Sequence, residues 1–578
     1  MRNRNLAGIL VLALLLVACT PAPAPRNQPA AGSGESGVSR GGPVRLAAAI
    51  RGLPPSMLAL KTNRAVGSIP GLDAIEELLH AGLTHADDQS KMHAQLAEAV
   101  PTLENGGWRI FPDGRMETTW RIRPNARWHD GTPVTADDVR FGAVIEQDAE
   151  LGIPRPAVFD AIAQIDTPDS RTVVVQWKQP YIEADALFSY IAAGPLPRHV
   201  LEAPYQADKT GFLAHPFWTT AYVGAGPYKL RDWVTDSHIV VIANDDYVLS
   251  RPKIDEIEVR FIVDHSALTA NLLAGSVSMA LGRSLVTVDQ ADAVRAQLPD
   301  FKTATSFRSW FRLAPQFLNT DPPIVADARF RRALMHAIDR DALNESFMGG
   351  QSAIAHTWVG PDTPEYREID AAIVRYPYDP RRATQMIEAL GYTRGADGLL
   401  VDAAGQRIRP QVWTTTRAEL QPKITLAIAD GWKQAGLDPE PVFIPPQQIG
   451  DREMRAQFPA FEMILGANGL RAEDVMRYHG SNTPLPENGF RVTGNNARYR
   501  NPEFDALLER YITTIPRPER IQTLAQIIRH QTEELTWMGL VYDVDVTLFN
   551  GRISNVHARG DRASQAWNVH EWELMRPV

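Results

Sequence analysis

Trp120-Arg-Ile-Arg-Pro-Asn-Ala-Arg-Trp128-His-Asp130-Gly131-Thr-Pro133-Val-Thr135-Ala-Asp137-Asp138-Val139 is the stretch on which the reading of this chain turns. Asp130-Gly131 suits a tight turn, Thr135 suits a helix N-cap, and Asp138 three residues later completes a capping box. The role expected of these residues is structural rather than ligand-contacting. On both sides of this stretch, short apolar runs alternate with well-marked helices, and no period of roughly 20 to 50 residues emerges, which argues against solenoids and propellers. A helix is expected from Asp379-Pro380, with Ala383, Met386, Ile387 and Leu390 on one face and Gly391 as its stop. A single helix is expected over about Ala328 to Phe347, stopped by Gly349-Gly350, and another opens at Asn501-Pro502 with Phe504, Leu507, Leu508 and Tyr511 inward. Arg171 to Trp177, His238 to Ala243 and Glu256 to Val263 read as strands, being rich in Val and Ile between turn signals.

The chain has 578 residues, of which 44% are hydrophobic and 22% charged, values that exclude a disordered or fibrous polymer. At about 150 residues per domain, three or four domain-sized units fit. With 59 Lys and Arg against 68 Asp and Glu, the net charge of -9 argues against nucleic acid as a partner. Arg2 and Arg4 precede an apolar run, Leu6 to Val17, that is too short to span a bilayer, which needs about 20 residues. It reads as an export signal. Leu16-Val17-Ala18-Cys19 resembles a bacterial lipobox, and Cys19 is the only cysteine, so lipidation at Cys19 accounts for both its presence and the absence of others. Residues 1–19 are thus the signal and lipobox. Residues 20–43, rich in Pro, Ala, Gly and Ser, form a flexible tether.

Enzyme motifs give little. Gly224-Ala-Gly226-Pro227 imitates a phosphate loop, but Pro227 removes an amide donor and the third glycine is missing. Ile338-Asp339-Arg340-Asp341 imitates a kinase loop only superficially and reads as a surface helix end. There is no His-Glu-x-x-His, no Gly-x-Ser-x-Gly and no cysteine pair. His570-Glu571, beside Trp567 and Trp572, reads as packing rather than a metal site. No catalytic or metal residues are assigned.

The opening stretch resembles the signature of the peptide/nickel class of ABC-transporter solute-binding proteins, family 5. Further blocks follow in that family's order: Leu79-His-Ala-Gly82-Leu83, Gly224-Ala-Gly226-Pro227-Tyr228, and Asp327 to Arg340. Then come Tyr378-Asp379-Pro380 through Gly391-Tyr392, Asn501-Pro502-Glu503-Phe504-Asp505, and Trp567-Asn-Val-His-Glu571-Trp572. The resemblance implies an α/β, periplasmic-binding-protein-like class II clamshell, two lobes with an extra domain, built of mixed sheets flanked by helices. It implies a discontinuous domain I of residues 44–95, 220–305 and 541–578, a domain II of 96–219 and a domain III of 306–540. Two crossing segments would lie near Ser306 to Ala314 and Trp537 to Asp545. It also implies a monomeric binding protein, not an enzyme, needing no cofactor. Hinged closure on a peptide or related small polar solute would deliver the solute to a permease and ATPase, and the protein would be exported and lipid-anchored to the cell envelope.

At the ligand position the sequence departs from the family. Phe461 to Asp474 aligns with a strand and pocket loop that usually carries Trp and, three residues on, an Asp that pairs with a peptide's α-ammonium. Here Asn468 and Arg471 stand there. An Arg inverts the sign and suits a carboxylate or phosphate; alternatively, Arg471 pairs with Glu473 or Asp474 and serves only structure. The candidate ligand-binding residues are therefore Arg471, Asn468, Gly469, Asp474, Trp413, Arg417, Tyr542 and Asp543, although the aromatics suit core packing equally well. Other readings are a solute-binding sensor or chemoreceptor subunit, the same transport role with oligosaccharide or anionic cargo, and an extracytoplasmic hydrolase.

Overall fold

Phe301–Pro315 and Met538–Asn550 are the two longest strands, and they run antiparallel to each other at the centre of the molecule. Their ladder reaches from Phe301 opposite Asn550 to Leu313 opposite Met538, with irregularities between Phe307 and Ser309 and between Trp310 and Arg312. Such bulges bend a strand and raise its local twist. The computed structural model describes residues 42–62, 69–190, 192–416, 418–491, 494–561 and 563–575. The export signal, Cys19, nearly all of the tether and Arg417 lie outside the described residues.

The crossing strands join two wings into one ten-stranded sheet. In the first wing, Met279–Ala280, Arg45–Ile50, Glu256–Phe261, His238–Ala243 and Tyr228–Val234 follow outward from the second crossing strand. In the second, Phe461–Ala467, Gln411–Thr415 and Glu440–Ile444 follow outward from the first. Arg45–Ile50 lies parallel to both of its neighbours, whereas the crossing strands and the outer pairs of the first wing are antiparallel, so the sheet is mixed. A separate antiparallel sheet holds Trp108–Ile110, Met116–Arg121, Thr172–Trp177 and Ile162–Asp169 in that spatial order. Its core is built on the buried Trp120, Trp128, Trp177 and Phe188.

The signature stretch behaves as its local chemistry requires. The Asp138 carboxylate accepts hydrogen bonds from the Thr135 N–H at 2.7 Å, the Thr135 hydroxyl at 2.8 Å and the Arg198 N–H at 2.9 Å. It thus caps the helix Ala136–Gln147 and ties in the start of Arg198–Ala207. Gly224 and Gly226 are places of close backbone packing. A Cβ on Gly224 would stand 1.8 Å from the Leu79 carbonyl oxygen, and one on Gly226 would stand 2.4 Å from the Leu79 carbonyl carbon. These glycines let a loop lie against the end of the helix Leu72–Leu79.

The helix expected over Ala328 to Phe347 is two helices, Ala328–His336 and Arg340–Met348. Asp339 breaks the run because its carboxylate accepts from the Ala342 N–H and caps the second helix. Arg340 is not a surface residue; it is buried, and its guanidinium donates to the Tyr376 carbonyl at 2.6 Å. The other two helices form as Pro380–Glu388 and Pro502–Thr513, each with Pro at its first turn. The strands form as Thr172–Trp177, His238–Ala243 and Glu256–Phe261.

Period-2 alternation along the second crossing strand sets up the functional face. Val544, Val546 and Leu548 point to a core shared with Leu268, Leu272, Ala291 and Val294 of the helices His265–Leu273 and Val288–Gln297. Asp543, Asp545 and Thr547 therefore point the opposite way, between the wings. The first crossing strand supplies Ser309 opposite Asp543 and Ser306 opposite Asp545.

Candidate functional site

Directly opposed residues of an antiparallel ladder share a face, so Ser306, Ser309, Asp543 and Asp545 form one polar floor where the wings meet. The Asp545 Oδ1 atom accepts the Ser284 N–H at 2.9 Å, and its Oδ2 atom has no partner. The Ser306 hydroxyl is likewise buried without a partner. Asp543 is half-buried, and among the described residues its carboxylate makes no hydrogen bond or ion pair. Burial pushes the Asp543 carboxyl up to about 7, and the Asp545 charge adds to this while Arg283 opposes it. Asp545 is raised by burial too, against the pull of the Ser284 N–H, Arg559 and Arg283.

The pocket loop follows from the strand Phe461–Ala467. The Asn468 amide donates to the Phe307 carbonyl at 2.7 Å, which pins the loop to the first crossing strand. Gly469 has a positive φ, and a Cβ there would meet Asp474 Oδ2 at 2.6 Å and Asp561 Oδ1 at 3.1 Å. Arg471 is not an empty anion hook. Its guanidinium meets Asp474 at 2.7 Å, Glu473 at 2.7 Å and, across the interface, Asp561 at 4.0 Å. Burial works against its charge, but these three carboxylates outweigh that and keep it firmly protonated. Asp474 sits between Arg471 and Arg477, the latter at 2.5 Å, and is a buried counter-ion rather than an acceptor held open for a ligand. The adjoining Ala472 N–H donates to Glu183 Oε2 at 2.8 Å, so this loop touches the first-wing side in two places.

Tyr542 does not line the interface. It is fully buried, and its hydroxyl lies 2.8 Å from the Thr357 carbonyl oxygen and 2.5 Å from that of Val359. Its place in the alternation, one step from Asp543, turns it into the core. Trp413 is partly buried, and its ring N–H donates to Gln411 at 2.8 Å. His570 packs edge-on against Tyr247, as its aromatic neighbourhood suggested. No group of His, Cys, Asp or Glu among the described residues is arranged to hold a metal ion.

Sequence reasoning missed a buried charged cluster beside the floor. Asp73 and Glu77 lie on the helix Leu72–Leu79, every residue of which is buried. Arg559 pairs with Asp73, and the Ser564 N–H and hydroxyl both donate to Glu77 Oε2. Burial lifts the Glu77 carboxyl to about 8, with the Ser564 hydrogen bond opposing and the Asp73 charge adding. It also missed Arg283. The backbone around Arg283 is held on several sides: the Leu281 N–H bonds the Ala49 carbonyl, Gly282 is clamped by Gln565, and the Ser284 N–H bonds Asp545. The Arg283 guanidinium itself is exposed and makes no hydrogen bond or ion pair among the described residues. Asp543 and Asp545 had a readable signal, since Asp-Val-Asp-Val-Thr alternates polar and apolar at strand period.

Residues 98–486 match the family model described as bacterial extracellular solute-binding proteins, family 5, middle region. A Brucella ovis protein named as an ABC transporter peptide-binding protein is 30% identical over 293 residues, 50% of this chain and 51% of its own length. The chain thus spans about half the length of that relative. The oligopeptide-binding protein AppA of Bacillus subtilis is 22% identical over 514 residues, 87% of each chain. Among solved structures, NikZ from Campylobacter jejuni, in complex with Ni(L-His), has a TM-score of 0.67 at 20% identity, covering 92% of this chain and 99% of its own. An oligopeptide-binding protein from Thermus thermophilus, complexed with a pentapeptide, has a TM-score of 0.65 at 22% identity, covering 92% and 96%. These likenesses give the fold: the α/β two-lobed architecture of periplasmic binding proteins.

Proposed function

Because the chain belongs to the bacterial extracellular solute-binding proteins, family 5, we propose that it is the extracytoplasmic receptor of an ABC importer. It captures a peptide or related small polar solute between two lobes and presents the closed form to a membrane permease driven by an ATPase. The observation that carries this reading is the polar floor of Ser306, Asp543 and Asp545 on the two long strands that join the wings. A solute that contacts the floor and both walls stabilises the closed arrangement alone, so binding and closure are linked. No bond need be broken, and the protein acts as a binding protein rather than a catalyst. The lobes correspond to residues 44–95, 220–305 and 541–578, with 96–219 packed on them, and to 306–540. The limits at 306 and 541 fall inside the continuous strands Phe301–Pro315 and Met538–Asn550, which supports a hinge within the ladder rather than in a loop. Cys19 anchors the exported protein to the envelope by its lipid, and the body acts as a monomer without a cofactor. No described helix is long and apolar enough to cross a membrane.

The test is a thermal-shift screen of the purified chain against short peptides, oligosaccharides, nickel chelates and dicarboxylates. A solute at 100 times its dissociation constant adds about 2.7 kcal/mol to stability. A saturable shift with one class supports the receptor reading; no shift with any class refutes it. In the same cells Cys19→Ala releases the protein from membranes, and retention of that variant refutes the anchor.

A further inference from the structure

Four groups of both signs at the junction of the wings have side-chain atoms without a protein partner among the described residues: buried oxygens of Ser306 and Asp545, the half-buried Asp543 carboxylate and the exposed Arg283 guanidinium. Ser306 is 3% exposed and Asp545 5% exposed, and in each a buried polar oxygen lacks a partner. Asp543, two residues along on the same face, carries a second carboxylate with no partner. Arg283 adjoins Ser284, whose N–H holds Asp545, and its guanidinium is free on a tightly fixed backbone. Folding gains nothing from this set. Dehydrated polar groups left unpaired cost stability, and two like charges on one strand face repel each other. By contrast, neighbouring charges are paired within the protein: Arg559 with Asp73, and Arg471 and Arg477 with Asp474.

Resting on the receptor reading above, we infer that Asp543, Asp545 and Ser306 accept the ammonium of a small zwitterion whose carboxylate is taken by Arg283. An ammonium has three donors, one for each of Asp543, Asp545 and Ser306. Arg283 offers a planar fork for a carboxylate. A dicarboxylate would meet repulsion at Asp543 and Asp545, a diamine would meet it at Arg283, and an uncharged sugar, though its hydroxyls could hydrogen-bond these groups, would bring no counter-charge to either sign as the cleft dries. The cation site thus lies on the crossing strands, whereas the loop residue Arg471 is occupied by its own counter-ions. The raised carboxyl of Asp543, lifted by burial and then by the Asp545 charge against the pull of Arg283, agrees with this, since an arriving ammonium would favour its charged form.

The experiment uses the full chain and matched probes: L-alanine, L-alanyl-L-alanine and L-trialanine, each also as its N-acetyl and its C-terminal amide derivative, with succinate, putrescine and maltotriose beside them. Affinity is read by calorimetry and thermal shift. Binding is expected only for probes carrying both charges, with blocking of either end lowering affinity by about tenfold or more. Asp543→Asn and Arg283→Gln each lower affinity for the tightest zwitterion by about tenfold or more, while the unliganded midpoint is unchanged or higher, which a merely structural role would not allow. Binding of succinate, putrescine or maltotriose in place of the zwitterions overturns the inference and leaves the receptor reading standing. Zwitterion binding that survives end-blocking or both substitutions also overturns it. Failure of every probe overturns the inference, and the receptor reading falls only if the wider screen with nickel chelates fails as well.

Discussion

Asp543→Asn stabilises the unliganded protein at neutral and mildly alkaline pH and does little in acid. The carboxyl titrates near 7 in the fold against 3.8 in the open chain, with burial as the main cause, Asp545 adding and Arg283 opposing. A raised carboxyl binds its proton more tightly in the native state, so stability is intact below about pH 4 and falls as pH rises through about 7. Three pK units at about 1.4 kcal/mol each set a ceiling near 4 kcal/mol, and partial exposure of the carboxylate brings the expected figure to about 2 to 4 kcal/mol. Asn keeps the shape and has no charge to dehydrate, so the variant escapes that loss. With about 2.1 cal/mol/K of unfolding entropy per residue over roughly 500 residues, each kcal/mol moves the midpoint by about 1 °C. Scanning both proteins by calorimetry from about pH 4.5 to 8.5 should therefore show curves that diverge by about 2 to 4 °C as pH rises, with the variant higher. Parallel curves across that range would refute the reasoning, because a purely steric effect carries no pH dependence.

Other perturbations follow from the same contacts. Arg559→Met strips Asp73 of its ion pair in a buried setting and should lower stability by about 3 to 5 kcal/mol, read as a matching fall in the thermal midpoint. An unchanged midpoint would show that the pair contributes nothing. Gly224→Ala sets a methyl 1.8 Å from the Leu79 carbonyl oxygen, so soluble yield and thermal midpoint should both drop sharply. The control is Gly450→Ala, where a Cβ meets nothing within 4 Å and the midpoint should hold. Equal behaviour of the two variants would contradict the packing argument.

Legibility in the sequence followed the range of the interactions. Asp379-Pro380 and Asn501-Pro502 announce helix starts because caps are settled within a turn, and the run of Ile and Val in His238–Ala243 announces a strand because β-branched content is likewise local. The break at Asp339 was local as well, but the apolar spacing across it suggested one helix, and the cap won. Arg471 looked like an inverted ligand contact because its position was visible and its counter-ion Asp561 was not, lying 90 residues downstream. Arg559 and Asp73 are 486 residues apart, beyond any spacing rule. Tyr542 and Asp543 were considered together, yet adjacent residues of a strand face opposite ways, so only one of them could reach the interface.

The span between helix Leu72–Leu79 and its neutralising partners also governs when the protein can fold during export. Asp73 and Glu77 are buried early in the chain, but Arg559 and Ser564, which compensate them, are made nearly 500 residues later. Arg45–Ile50 likewise waits for Glu256–Phe261 to pair, and the first wing's edge at Met279 waits for Phe549. A nascent chain emerging at about 5 to 20 residues per second therefore spends tens of seconds unable to complete its first wing. Contacts this distant in sequence make folding slow, which keeps the chain extended enough to be threaded through a membrane before its core can close.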